Sequence, residues 1–380
     1  MIEKIYEHVR WRIRQGRDQR IHRQVYRPTL VADLPEVTFT EVFPAQVCNW
    51  PPVRNYGPEP VDFGEKLTQA FPSIGVISLK EAVVNLARGY VFDTQGHFLI
   101  EAAWGPWDET FFRQDSLERP IEYTLQGRTL SLLTEFGDIN YGHFLMDSLG
   151  RLAILNEAGI RPESFDHILL PAFESAETRR LVEAAGIPAE RIIRPGKELR
   201  YAAIEDLTLT SFPGVARCYP DWMPQYLRSL VPAAAPQQPQ RKLYLIRKSR
   251  GGNAVNELEI QALVKRYGFE CVDPMDLQPD TYRHFQEASH VIGLHGAALA
   301  AVIYCQPGAA RMLEILPSLH QVCYYFTLAA ASGVEPFHFG ATSVVPPEAR
   351  KTAQKNRASE RFDVQVDIPS LEQALEVFTA

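Results

Sequence analysis

The pattern of apolar and polar positions changes character near residue 130. Before it, short apolar runs such as Gly89-Tyr-Val-Phe and His97-Phe-Leu-Ile alternate with Pro, Gly and aromatic residues. That pattern predicts a β-rich, partly irregular region over 29–130. After it, strand-length and helix-length segments take turns. Leu130-Ser-Leu-Leu-Thr reads as a strand, then come a helix from about Tyr141 to Ala158 and a strand at His167-Ile-Leu-Leu. A helix from Ala176 to Ala185 and a strand at Arg191-Ile-Ile follow. Pro232-Ala-Ala-Ala-Pro-Gln-Gln-Pro-Gln is the clearest linker. Beyond it come strand Lys242–Ile246, helix Glu257–Tyr267, strand Glu270–Val272 and helix Thr281–Ala288. A strand–turn–helix–strand unit over 289–315 completes the series, and a last short helix is expected from Pro369.

Residues 1–28 place Ile2, Ile5, Tyr6, Val9 and Ile13 at helical spacing among Arg10, Arg12, Arg14, Arg17, Arg20 and Arg23, a basic amphipathic helix suited to an anionic membrane surface or to packing on its own domain. The expected organisation is therefore this helix (1–28), an N-terminal lobe (29–231), a linker (232–240), a C-terminal lobe (241–345) and a tail with a helix (346–380). The stretch 348–360 reads as an exposed connection. The fold class is α/β, two lobes facing a cleft where ligands commonly bind.

Composition narrows this picture. A chain of 380 residues exceeds one ordinary core, and 46% hydrophobic with 22% charged residues describes a globular protein. A net charge of −7 argues against a nucleic-acid surface over the whole molecule. The five cysteines (Cys48, Cys218, Cys271, Cys305, Cys323) form no C-x-x-C pair, so neither a disulfide framework nor a zinc site is expected. With no glycosylation sequon, signal-type segment or spanning apolar run, the expected location is the cytoplasm.

Three clusters carry candidate chemistry. In SHVIGLHGAALAAVIYCQPGAARMLEI an apolar strand breaks at His295-Gly296, a small-residue helix follows from Ala297 to Tyr304, and a strand ends near Glu314. Free backbone N–H groups at such a helix start favour a phosphate, and Glu314 lies where an acid can take ribose hydroxyls. Close helix–sheet packing and a dinucleotide fingerprint are the alternatives; the latter lacks two of its three glycines in register. In Asn140-Tyr-Gly-His143-Phe-Leu-Met-Asp147, residues 140, 143 and 147 share one helix face, which suits a general base with an orienting partner or simply a solvated face. In Tyr244-Leu-Ile-Arg247-Lys-Ser-Arg250-Gly-Gly-Asn-Ala-Val-Asn256-Glu257, cations follow a strand and Asn256 can cap the next helix. No Walker-A loop, Gly-x-Ser-x-Gly elbow, HExxH or Asp-x-Asp pair occurs.

At these clusters the chain resembles glycosyltransferase family 61. The matching pieces are NYGHFLMDSLGRL, YLIR…NE with YGFECVDP, ASHVIGLHGAALAAVIYCQPGAARMLEILP and YYFTLAAASG, spread over about 130–345. The resemblance implies two Rossmann-like lobes in the glycosyltransferase-B arrangement, inversion at the anomeric carbon, and no required metal or other cofactor. Family members transfer xylose, arabinose or N-acetylglucosamine, and bacterial relatives are associated with capsule or other surface polysaccharides. Asn140, His143 and Asp147 match the acceptor-side row, with Asp147 as base assisted by His143. Arg247, Asn256, Glu257, His295, Gly296, Ala297 and Glu314 match the donor side, and Arg250 is an added cation. Ile246 stands where many relatives have Ser, and Gly252 where a basic residue is frequent. The implied partners are a nucleotide sugar, expected to be a UDP-sugar, and a glycan or lipid-linked acceptor, with membrane contact through residues 1–24. A dinucleotide-dependent oxidoreductase and a non-catalytic nucleotide- or glycan-binding protein are the alternatives, separable by titration with UDP, NAD and free glycans.

Overall fold

The computed structural model describes residues 27–103, 121, 123–196, 201–215, 218–234, 237–249, 251–346 and 362–380. The basic segment expected over 1–28 falls outside these residues except for Arg27 and Pro28, and Arg250 and the 348–360 connection lie outside them too. The structure is mixed α/β and divides into two compact units.

The first unit comprises Met1–Gln46, Pro72–Phe173 and Ala185–Val215. Its strands are β1 (Arg27–Thr29), β2 (Val37–Phe43), β5 (Ile74–Asn85), β6 (Tyr90–Phe92), β7 (His97–Leu99), β8 (Tyr123–Ser131), β9 (His167–Leu169), β10 (Ile192–Ile193) and β11 (Tyr201–Thr210). The intervening β3 (Gln46–Asn49) and β4 (Thr68–Phe71) form a separate ribbon. One sheet runs β1-β7-β6-β5-β11-β8-β9-β10, with β2 added to β5. From β11 to β10 the strands are parallel, whereas β5 pairs antiparallel with β2, β6 and β11. The β-rich character expected before residue 130 is thus fused to an α/β half, giving a mixed sheet. Its core gathers Ile77, Val84, Leu125, Leu169, Leu207 and Leu209, the inward positions of alternating strands.

The second unit comprises Val47–Phe71, Glu174–Ala184 and Ala216–Ala380. Its strands are β12 (Arg241–Leu245), β13 (Glu270–Val272), β14 (Ala288–Leu294), β15 (Arg311–Pro317), β16 (Glu335–Ser343) and β17 (Val364–Gln365), in the order β13-β12-β14-β15-β16-β17. All but β17 are parallel. Counted from β12, the parallel strands run 2-1-3-4-5, a doubly wound order whose direction of winding reverses between β12 and β14. Strand alternation sends Ile292, Leu294, Leu313, Ile315, Phe337 and Phe339 to one face, under the helices Glu257–Arg266 and Ile368–Phe378. The opposite face is covered by the helix Tyr324–Ala331 and the short helix Ala297–Tyr304.

Two expectations about organisation change. A single crossing at 232–240 does not divide the units, because residues 47–71 and the helix Ala176–Ala184 belong to the second. Asn55 bridges to His338 in β16, and Glu177 accepts a 2.7 Å hydrogen bond from the Thr281 hydroxyl. Residues 362–380 are no tail: β17 extends the sheet, and Leu371, Leu375 and Phe378 are fully buried in its core.

Candidate functional site

In the first unit the chain leaves β8 and turns into a helical stretch through Phe136, a non-glycine residue at φ +65°. Left-handed backbone of this kind is costly and tends to mark functional turns. Asn140 then caps the helix: its Oδ1 accepts from the His143 backbone N–H at 3.3 Å. The stretch is α-helical at Tyr141–His143, π-helical at Phe144–Leu149 and α-helical again at Arg151–Glu157. A π turn adds one residue to the ring of each hydrogen bond and recurs at functional sites. Ser148 ties it to the strand through a 2.6 Å bond to the Leu132 carbonyl.

His143 Nδ1 lies 2.5 Å from Asp147 Oδ2, so the histidine and carboxylate expected on one face do meet. That face is not a solvated one. Asp147 exposes 0% of its side chain and His143 15%, so of the two it is the imidazole that reaches the surface. Beneath them Arg151 is buried and donates to the carbonyls of Asp147 (3.0 Å), Ala102 (3.0 Å) and Thr210 (3.3 Å). Burial pushes its guanidinium down to about 10, and the charge of Asp147 opposes this, so the arginine stays cationic near neutral pH. Arg151 lies within the motif that carries the resemblance, yet nothing in its spacing marks it as this buried support.

In the second unit β12 and β14 are neighbours with Leu245 opposite Gly293. Two residues further on, Arg247 and His295 lie at the carboxyl ends of these strands, where the winding reverses and open α/β sheets bind ligands. Arg247 Nη1 donates to the His295 carbonyl at 2.7 Å, and Nη2 to Gly251 at 3.4 Å. A Cβ on Gly296 would overlap Nη1 and sit 3.2 Å from Cζ, so glycine here leaves room for the guanidinium. Gly252 takes φ +73°, which explains a glycine where relatives are often basic.

Residues Ala297–Tyr304 do form a helix, but a 3-10 one. Its first bond is Leu299 N–H to the Gly296 carbonyl, 2.9 Å, so the N–H groups of Gly296, Ala297 and Ala298 precede its ladder. Anion attraction here rests on these groups and Arg247 more than on an α-helix dipole.

Other donor-side expectations need correction. Asn256 stands at the N-cap position of Glu257–Arg266 without a side-chain cap bond, because its amide is engaged with the N–H and carbonyl of Val366. Glu257 is held by the Tyr244 hydroxyl (2.9 Å) and Gln261 (3.0 Å), and burial pushes its carboxyl up. Glu314 exposes no surface, so it cannot take ribose hydroxyls; its Oε1 lies 2.6 Å from His295 Nδ1. It acts through His295. Tyr325 and His320 flank that imidazole, with ring centroids at 5.0 and 5.2 Å. His338, buried beside Glu314, escaped sequence reading because a lone histidine in an apolar strand carries no spacing signal.

Among the described residues, Glu36, Asp93 and His97 bring ligand-type atoms within 4.8 Å of one another. Asp93 is already engaged there by His97 Nδ1 (2.5 Å) and by the backbone N–H groups of Gln95 and His97.

A histidine backed by a carboxylate, and an arginine-bearing glycine turn at a switch point, are parts of a group-transfer enzyme. The family model for glycosyltransferase 61 matches residues 141–313, a span that begins at the His143 helix and ends one residue before Glu314. This match to a glycosyltransferase 61 domain supports a glycosyltransferase, an enzyme that takes a sugar donor and a glycan acceptor. The oxidoreductase and purely binding alternatives are thereby set aside. No curated protein matches the sequence significantly.

Proposed function

We propose that this glycosyltransferase uses a nucleotide sugar with a diphosphate leaving group, a UDP-sugar, and inverts the anomeric carbon in one displacement without a metal. His143, held in one orientation by Asp147, takes the proton of an acceptor hydroxyl as that oxygen attacks. The bond to the diphosphate breaks as the new glycosidic bond forms, and the departing charge is met by Arg247 and the N–H groups at Gly296–Ala298. Such a reaction requires both sites to act on one donor–acceptor pair. The observation that carries it is the Arg247–Gly296 turn at the switch point, with a guanidinium fixed where a glycine leaves space.

The acceptor in this reading is a growing surface glycan in the cytoplasm, lipid-linked at the membrane. The basic segment 1–24 supports the membrane side, and five scattered cysteines with no C-x-x-C pair support a reducing compartment. Among the described residues, no helix is long and apolar enough to cross a membrane. Calorimetric titration with UDP, GDP and CMP, followed by a hydrolysis screen over their sugars, tests the donor. Saturable binding of UDP with turnover of a UDP-sugar is expected; binding of none of the three nucleotides overturns the assignment.

A further inference from the structure

Gly293, Glu314 and His338 are cross-strand neighbours on β14, β15 and β16. The glycine adds no side chain at this level, and Glu314 fills the layer beneath His295. His338 exposes no surface, and its ring packs against Phe63 and Phe326 with centroids at 5.3 and 5.2 Å. Both of its nitrogens and Glu314 Oε2 lack hydrogen-bond partners among the described residues, and Nε2 stands 3.7 Å from Oε2. A buried polar atom left unpaired is costly, so three in one place call for a function.

We propose that His338 is a positioning residue that sets where one proton resides in the His295–Glu314 pair. The pair holds that proton either as imidazole with carboxylic acid or as imidazolium with carboxylate. A neutral His338 turning Nε2–H onto Oε2 stabilises the carboxylate, which drives the proton onto His295. The resulting imidazolium presents a second cation beside Arg247. Burial by itself favours the carboxylic acid, pushing Glu314 up to about 8, and His338 works against it; burial also pushes His338 down, toward the neutral ring. The groups facing the pair are His295 from β14, Arg247 through the His295 carbonyl, and His320 and Tyr325 around that imidazole. Residues 47–71 and the helix Tyr324–Ala331 contribute the rings of Phe63 and Phe326.

That the cation serves a diphosphate rests on the donor-site reading above; the placement of the proton does not. The test is ¹⁵N NMR of the histidine rings in the full-length protein at pH 7, for wild type, His338→Phe and His338→Gln. Wild-type His295 is expected as imidazolium. His338→Phe keeps the ring packing but removes the donor, so His295 becomes neutral, and His338→Gln, whose amide can donate, restores it. UDP binding at pH 7 should weaken about tenfold in His338→Phe and recover in His338→Gln. The neutral form of His295 should persist to lower pH in His338→Phe than in wild type or His338→Gln. A neutral His295 in wild type overturns the proposal even if no variant folds, as do unchanged His295 shifts in folded His338→Phe. Shifted signals with unchanged UDP affinity would uphold the proton placement and remove His295 from the donor site.

Discussion

Gly296→Ala separates the fold from the donor site with a single methyl group. Its backbone φ of 170° is extended, so alanine meets no backbone strain. The clash falls on Arg247 Nη1, the far end of a flexible side chain. The fold therefore tolerates the change by letting the guanidinium swing, and the melting temperature should move little. The site does not tolerate it, because the swing breaks the 2.7 Å bond that fixes Arg247 to the His295 carbonyl. A hydrogen bond to a charged group is worth about 1.5–3 kcal/mol, so if the diphosphate depends on that fixed orientation UDP affinity falls about 10- to 100-fold. Calorimetry gives the affinity and thermal denaturation the stability. In a double-mutant cycle the loss should largely vanish when Arg247 is already alanine. Wild-type UDP affinity in a folded Gly296→Ala protein, or full additivity with Arg247→Ala, would refute the reasoning.

His143→Ala should lower transfer by about 10²- to 10⁴-fold with donor affinity unchanged, and Asp147→Asn should cost no more than that; single-turnover rates decide, and a larger loss in Asp147→Asn would restore the carboxylate as base. Transfer should continue in excess EDTA, because Arg247 and backbone N–H groups meet the leaving charge; activity lost to EDTA and recovered with Mn²⁺ would contradict this. Arg151→Met strips the Asp147, Ala102 and Thr210 carbonyls of their donor, and urea denaturation should show a loss of about 3–5 kcal/mol. Removal of residues 1–24 should reduce association with anionic liposomes at low salt more than turnover of a soluble acceptor, and equal liposome binding would return that segment to a packing role.

The parallel part of the fold was legible because buried strands and amphipathic helices write their period into the chain. Lys242–Ile246, Glu257–Tyr267 and Glu270–Val272 all appear within a residue of their expected bounds. The His143–Asp147 pair was legible for the same reason, since four-residue spacing brings side chains together. Depth was not: only the packed structure shows that Asp147 is closed off and His143 is not. Nor was the π turn, which changes the hydrogen-bond ring without changing composition. The docking of residues 47–71 runs through the bridge at Asn55, its side-chain turn and ring contacts such as Phe63 on His338, and none of these leaves a periodic trace.

The far side of β16 is occupied by two pieces of chain from opposite ends of the sequence, residues 54–56 and β17. Together they cover an edge that would otherwise offer unpaired N–H and carbonyl groups to other chains. On the ribosome the first piece emerges long before β16 exists, and the second only after it. The second unit therefore closes only once β17 has been made, and until then its sheet has an open flank. A shortened version ending near residue 345 would keep that flank open and lose the buried Leu371, Leu375 and Phe378, so instability and self-association would be its first visible defects.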